Sequence, residues 1–205
     1  MAGPPAVDVV LVGFGWTGAL MGEVLTAAGL SVLAFERGHW RDTPNDFGVT
    51  FDQDELRYFW RHRLFQNVAH STLTFRNRAD QVALPMRRLG SFLPGAGVGG
   101  GGVHWNGQVW RFLPSDFVAR SHNLARYGRA ALAQDMIIQD YGVTYAELEP
   151  HFDRFEYLCG VSGKAGNLGG AIQAGGNPFE GPRSREYPNP PLGMTYGPML
   201  FADAA

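Results

Sequence analysis

Val7-Asp8-Val9-Val10-Leu11-Val12-Gly13-Phe14-Gly15-Trp16-Thr17-Gly18 is an apolar, β-prone run that empties into the spacing G-x-G-x-x-G. A helical stretch, Trp16 to Ala28, follows, and Gly29 stops it; a second apolar run, Ser31 to Phe35, comes next and ends on Glu36. This alternation spells a βαβ unit. Both strand runs are nearly continuous in apolar residues, with Asp8 the one interruption, so central parallel strands covered on both faces by helices are expected. The expected fold class is α/β: a doubly wound, Rossmann-like sheet with an appended helical and irregular region.

Each position of the motif has a mechanical reason. Gly13 permits the tight turn, Gly15 lets a pyrophosphate approach the backbone at the positive helix N-terminus, and Gly18 allows close helix–strand packing. Trp16 and Thr17 sit between them at the start of the helix. Glu36, eighteen positions beyond Gly18, can accept hydrogen bonds from both hydroxyls of an adenosine ribose, and its charge disfavours a 2′-phosphorylated cofactor. FAD and NAD share this fingerprint, so the choice between them comes from elsewhere in the chain.

A second cluster, Gly95-Ala96-Gly97-Val98-Gly99-Gly100-Gly101-Gly102, implies a backbone brought close against something, since glycine has no other advantage to offset its entropy cost. Its continuation, Gly99-Gly100-Gly101-Gly102-Val103-His104-Trp105-Asn106-Gly107, resembles the second glycine-rich signature of the glucose-methanol-choline (GMC) flavin oxidoreductases. Asn106-Gly107-Gln108-Val109-Trp110-Arg111-Phe112-Leu113-Pro114-Ser115-Asp116-Phe117 is similar to the branch that holds the large flavoprotein subunits of membrane-associated gluconate, 2-ketogluconate, sorbitol and fructose dehydrogenases. The resemblance runs along essentially the whole chain, including Tyr187-Pro188-Asn189-Pro190-Pro191.

That resemblance implies an FAD-binding domain, with Gly100, Gly101, Asn106 and Gly107 along the flavin and the Asn106 region near the reactive ring edge. His104-Trp105 looks like the segment through which some family members attach the flavin covalently to histidine; the alternative is that His104 only hydrogen-bonds in the pocket. Val103 stands where better-known members carry a small hydroxyl residue, a departure from the family pattern. The candidate cofactor-binding set is therefore Gly13, Gly15, Trp16, Thr17, Gly18, Glu36, Gly100, Gly101, His104, Asn106 and Gly107. The implied reaction is oxidation of a sugar, sugar acid or polyol at a CH–OH carbon, with the catalytic histidine expected in the family's C-terminal region. Implied partners are a cytochrome c subunit, through which electrons pass to quinone, and a small accessory subunit. The implied location is the periplasmic face of the bacterial inner membrane, with a cytoplasmic location as the alternative. Another FAD- or NAD-dependent oxidoreductase, or a cofactor-binding module without turnover, are the other readings.

Composition narrows the classes. The chain has 205 residues, 45% of them hydrophobic and 18% charged, enough to bury a core. Its 17 Lys+Arg against 19 Asp+Glu leave no basic excess for binding nucleic acid. One cysteine, Cys159, can form no internal disulfide or thiolate cluster, and no metal site is expected. The longest apolar stretches fall short of the about 20 residues that cross a bilayer, and Met1 to Pro5 lacks the basic start and long apolar core of a signal peptide. Gly 28 and Pro 13 make up a fifth of the chain, well above the average of about 12%.

The rest of the chain yields an organisation. Asp52 with Glu55 reads as a capping box opening a helix to about Gln66 that carries Tyr58-Phe59-Trp60-Arg61-His62-Arg63, read as a core helix with a basic face. A hairpin-like segment spans Ser71 to Leu84, and Arg87-Arg88 has either a pyrophosphate or solvent as its partner. Thr144 with Glu147 opens a second capped helix with a buried stripe of Leu148, Phe152, Phe155 and Leu158 and a stop at Gly160. Cys159 reads as a small buried hydrophobe. His39, His62, His70, His122 and His151 lack metal-ligand spacing and read as surface or packing residues. Residues Gly163 to Pro198 show little periodicity, and Met199 to Ala205 opens a helical run without a stop. The chain is expected to be an N-terminal piece of a longer protein, with 1–160 the N-terminal part of the FAD-binding domain and 161–205 a linker and the start of a substrate domain.

Overall fold

The computed structural model describes residues 6–42, 72–86, 95–105 and 107–205. Packing divides the chain into two compact units, residues 1–107 and 108–205. The expected helix over 52–66, the Arg87-Arg88 pair, His62, His70, Asn106 and Met1 to Pro5 lie outside the described residues.

In the first unit, β1 (Val9–Val12) and β2 (Val32–Phe35) pair in parallel, from Val9 opposite Val32 to Val12 opposite Phe35, and α1 (Trp16–Ala27) connects them. Asp8, the polar interruption, works at the mouth of this pair. Its carboxylate accepts from the N–H and hydroxyl of Ser31 at 2.8 and 2.6 Å, clasping the two strand starts before the apolar register begins. Gly18 and Gly22, one turn apart, make the flat stripe on which α1 lies. A Cβ on Gly18 would stand 2.3 Å from the Gly13 carbonyl oxygen, and one on Gly22 would meet the Phe14 ring and Leu11. Leu11 is correspondingly buried. The opposite face of the strands departs from expectation: Val10, Val12 and Phe35 are exposed, so only one face is covered among the described residues. The α/β character is present as one parallel pair and its helix. The hairpin reading holds as a short antiparallel pair, β3 (Thr74–Phe75) with β4 (Leu84–Pro85).

The second unit is built around α4 (Tyr145–Cys159), preceded by α2 (Pro114–Phe117) and α3 (Ala119–Tyr127). Proline at the first position of α2 needs no partner for a missing N–H, and the Asp116 carboxylate accepts from the Leu113 N–H at 2.7 Å. For α4 the expected capping box is in place: the Thr144 hydroxyl accepts from the Glu147 N–H at 3.3 Å while the Glu147 carboxylate accepts from the Thr144 N–H at 2.7 Å. Gly160 closes the helix in the left-handed region, at φ 64°.

The buried stripe of α4 differs from the reading. Leu158 is exposed, and the most buried positions are Tyr145 and Glu156, which share a face with Glu149 and Phe152 at spacings of four, three and four. Cys159 is exposed as well, a correction to its reading as a buried hydrophobe. The cause is a core with a charged centre. Arg111 and Arg183 reach Glu156 from two directions, Arg111 also takes Glu149 at 3.0 Å, and the Arg183 guanidinium lies 3.8 Å from the centre of the Tyr187 ring. An apolar count therefore mislocates the inner face.

Residues 161–193 are ordered by acids rather than by periodicity. Glu180 accepts from the Gly166 and Asn167 N–H groups and Glu186 from that of Ala165, flanked by the short antiparallel pair β5 (Asn167–Leu168) and β6 (Ala171–Ile172). The helical run at the end is α5 (Tyr196–Ala204). Among the described residues no helix is long and apolar enough to cross a membrane.

Candidate functional site

β1 is followed directly by Gly13, whose φ of 91° is open to glycine and strained for other residues. The turn it makes delivers the chain to Gly15, the N-cap of α1, at φ −82°. No side chain caps this terminus and no acid stands in its first turn, so no fixed negative charge of the helix opposes an anion at its positive end.

Glu36 follows the last residue of β2 and turns its carboxylate back toward that loop. Oε2 accepts from the Phe14 N–H at 2.8 Å and Oε1 from the Gly38 N–H at 2.9 Å. These backbone bonds, Phe14 first, hold its carboxyl below the usual glutamate range against the opposing cost of burial. The Arg37 backbone N–H adds a smaller contribution in the same direction, and a carboxylate, with about four acceptor sites, keeps capacity for a ribose hydroxyl.

The second glycine cluster has partners inside the same unit. Gly38 and Gly97 lie so close that a Cβ on Gly38 would stand 2.2 Å from the Gly97 nitrogen, and a Cβ on Gly100 would stand 3.1 Å from Gly15 Cα. Gly99 donates to the Phe14 carbonyl at 2.8 Å and Val98 to that of His39 at 3.0 Å. The expected close approach of a backbone is thus met by the first glycine loop and the turn after β2. Both glycine segments and Glu36 then line one cleft of about 500 Å³, whose walls are Val12, Gly13, Phe35, Glu36, Arg37, Gly95, Gly97 and Gly100. It opens at the C-terminal ends of the two parallel strands, where doubly wound sheets bind ligands.

Gly100 to His104 form a 3₁₀ turn. Gly101 is exposed, with open space where a Cβ would stand, and Gly107 is exposed at φ 79°. Gly102 is pressed against the Trp16 indole, and Trp105 meets Trp16 edge-on at 5.6 Å between ring centres. His104 is half-buried at the end of the turn and Thr17 is exposed. The structure thus brings Gly13, Glu36 and Gly100 to one cleft, sets Gly15 against Gly100, and places Gly18 in the helix packing. Of the histidines, His39 and His151 are exposed and His122 is half-buried.

Arg37 was not among the sequence candidates, and it lines the cleft beside Glu36. Its signal was adjacency to the motif acid. The role of Gly38 had no local signal, because its partner Gly97 lies 59 positions away.

The lining suits a dinucleotide: glycines where an anion would press closest, a carboxylate with spare acceptor capacity, one cation, and apolar walls from Val12 and Phe35.

No protein-family model matches the chain. It is 48% identical over 202 residues to the gluconate 2-dehydrogenase flavoprotein of Pantoea cypripedii, an alignment covering 97% of this chain and 33% of that protein. It is 29% identical over 208 residues to the fructose dehydrogenase large subunit of Gluconobacter japonicus, covering 97% and 34% respectively. The chain spans about a third of the length of the curated relatives it matches.

Proposed function

We propose that this chain forms the FAD-binding part of a GMC-type flavoprotein subunit that oxidises a sugar, sugar acid or polyol at a CH–OH carbon. The observation that carries the reading is the convergence of Gly13, Glu36 and the second glycine segment on one cleft at the ends of β1 and β2. Likeness along 97% of the chain to a gluconate dehydrogenase flavoprotein supports the choice of FAD over NAD.

In this reading Gly13, Gly15 and the first N–H groups of α1 hold the pyrophosphate, Glu36 holds the ribose, and Gly100 and Gly101 follow the cofactor toward its ring. When bound, the flavin supplies the hydride acceptor. Trp16 and Trp105 meet edge-on beside the start of α1, and His104, next to Trp105, is the candidate for a covalent link. Asn106 and Gly107 belong to the ring end of the site. The base that takes the hydroxyl proton and the substrate pocket are assigned outside this chain, and a cytochrome c subunit and an accessory subunit are its separate partners at the periplasmic face. A functional division at residue 160, with 161–205 leading into a substrate domain, is part of this proposal.

The test is the chromophore. Purified chain incubated with FAD and desalted should keep a flavin spectrum with two visible bands, and NAD should not compete. Retention of NAD and exclusion of FAD would overturn the assignment. Colour that stays with acid-precipitated protein, and is lost in His104→Ala, would establish the covalent link.

A further inference from the structure

We propose that Glu36 is a positioning residue, which orders both glycine segments before a cofactor arrives; the inference rests on the dinucleotide reading above. Its carboxylate joins Phe14, 22 positions away, to Gly38. From Phe14 the connection continues through its carbonyl to the Gly99 N–H, and from Gly38 through the neighbouring His39 carbonyl to the Val98 N–H. Val98 and Gly99 are consecutive, so the bonds close a ring: Phe14, Glu36, Gly38, His39, Val98, Gly99 and back to Phe14. One side chain completes that ring.

The chemistry requires a carboxylate. The Phe14 and Gly38 N–H groups are both donors, as is the Arg37 N–H that also helps hold the carboxylate charged, so a neutral amide would satisfy one N–H and turn its own NH₂ toward another. The ring also encloses the residues most in need of ordering, because glycine loses more conformational freedom than any other residue when it is fixed. A loop fixed in advance binds more tightly because the ordering cost is already met in the free protein. A ribose ligand alone would need neither backbone bond.

The experiment uses the cofactor-free 205-residue chain and a probe without ribose, inorganic pyrophosphate, beside ADP and FAD. Amide exchange is read at Phe14 and Gly38, with Phe152 in α4 as an internal reference, and Glu23→Gln on α1 is the control variant. Both amides should be protected in the unmutated chain, and in Glu36→Gln at least one should exchange about tenfold faster while Phe152 is unchanged. Pyrophosphate affinity should fall about fivefold, the worth of roughly one hydrogen bond, although removal of a negative charge near an anion would by itself tighten binding. Unprotected amides in the unmutated chain would overturn the proposal. So would a Glu36→Gln protein that weakens ADP yet binds pyrophosphate within twofold, since that is a ribose ligand and nothing more. If Glu36→Gln loses α4 protection as well, Glu36→Asp decides by the same comparison, because it keeps the charge and shortens the reach. A chain that binds pyrophosphate but not FAD overturns the flavin reading and leaves the positioning role standing; one that binds neither overturns both.

Discussion

Arg111 grips Glu156 with two parallel bonds, Nε to Oε1 at 2.9 Å and Nη2 to Oε2 at 2.8 Å, while the third guanidinium nitrogen takes Glu149 at 3.0 Å and the Tyr145 hydroxyl at 3.3 Å. Burial works against the Arg111 charge, and the bonds to Glu156, Tyr145 and Glu149 more than offset it, holding its pKa above the ordinary arginine value. Arg183 approaches the same Glu156 carboxylate from the 161–193 segment, and Arg183 and Glu156 are each 1% exposed. Glu156 is therefore the carboxylate that the two buried cations share, with Glu149 also on Arg111 and Glu180 3.7 Å from Arg183. Glu156→Gln keeps the shape and removes the charge, and should lower the unfolding free energy by about 3–5 kcal/mol. Denaturant melts of the purified chain measure this; a loss under about 1 kcal/mol would remove Glu156 from the centre of the second unit.

Gly15→Ala and Gly18→Ala should separate binding from folding. An alanine Cβ at Gly15 would stand 3.7 Å from Gly100 Cα, an ordinary contact, whereas at Gly18 it would stand 2.3 Å from the Gly13 carbonyl oxygen. Gly18→Ala should cost more than about 2 kcal/mol, because backbone on both sides must move. Gly15→Ala should melt within about 1 kcal/mol of the unmutated chain and still lose flavin, because its methyl group fills the space of an approaching phosphate. Thermal melts beside flavin content decide, and a Gly15→Ala protein with full flavin content counts against the pyrophosphate assignment.

Acid should weaken the second unit. The Asp153 carboxyl is held below its usual range, first by the bond from Arg185. For Glu149, burial raises the pKa, but bonds from the Ser184 N–H and from Arg111 bring it below the usual value of 4.5. Both groups have folded pKa values below their unfolded ones, so the unfolded chain binds more protons in acid. Their contribution is complete above about pH 4.5 and is lost as pH falls through the lower folded values. Denaturation midpoints should be flat from pH 7 to about pH 5 and fall below that; a rise on acidification would contradict the assignment.

Cys159, the one cysteine of the chain, is exposed at the end of α4, with partial burial raising its thiol pKa above the usual value. A disulfide reagent should therefore titrate one thiol without denaturant, at a rate that climbs with pH as the thiolate forms. Reaction only after unfolding would restore the buried reading.

Much of this chain was legible before any tertiary structure, wherever the cause lay within a few residues. The strand runs, the turn at Gly13, the box formed by Thr144 with Glu147 and the stop at Gly160 depend on φ/ψ preference, short-range hydrogen bonds and continuous apolar runs, and all appear within a residue or two of where those forces place them. The acid Glu36 was legible for the same reason, since its distance from Gly18 is set by one helix and one strand. The inner face of α4 was not: hydrophobic spacing points to Leu158, while the helix turns Glu156 inward because Arg111 and Arg183, 45 and 27 positions away, need a shared carboxylate. Nor was the contact of Gly38 with Gly97, or the use of both Glu36 oxygens on backbone N–H groups. Those depend on where distant segments meet, and a glycine or a carboxylate carries no mark of its partner until the chain has brought the two together.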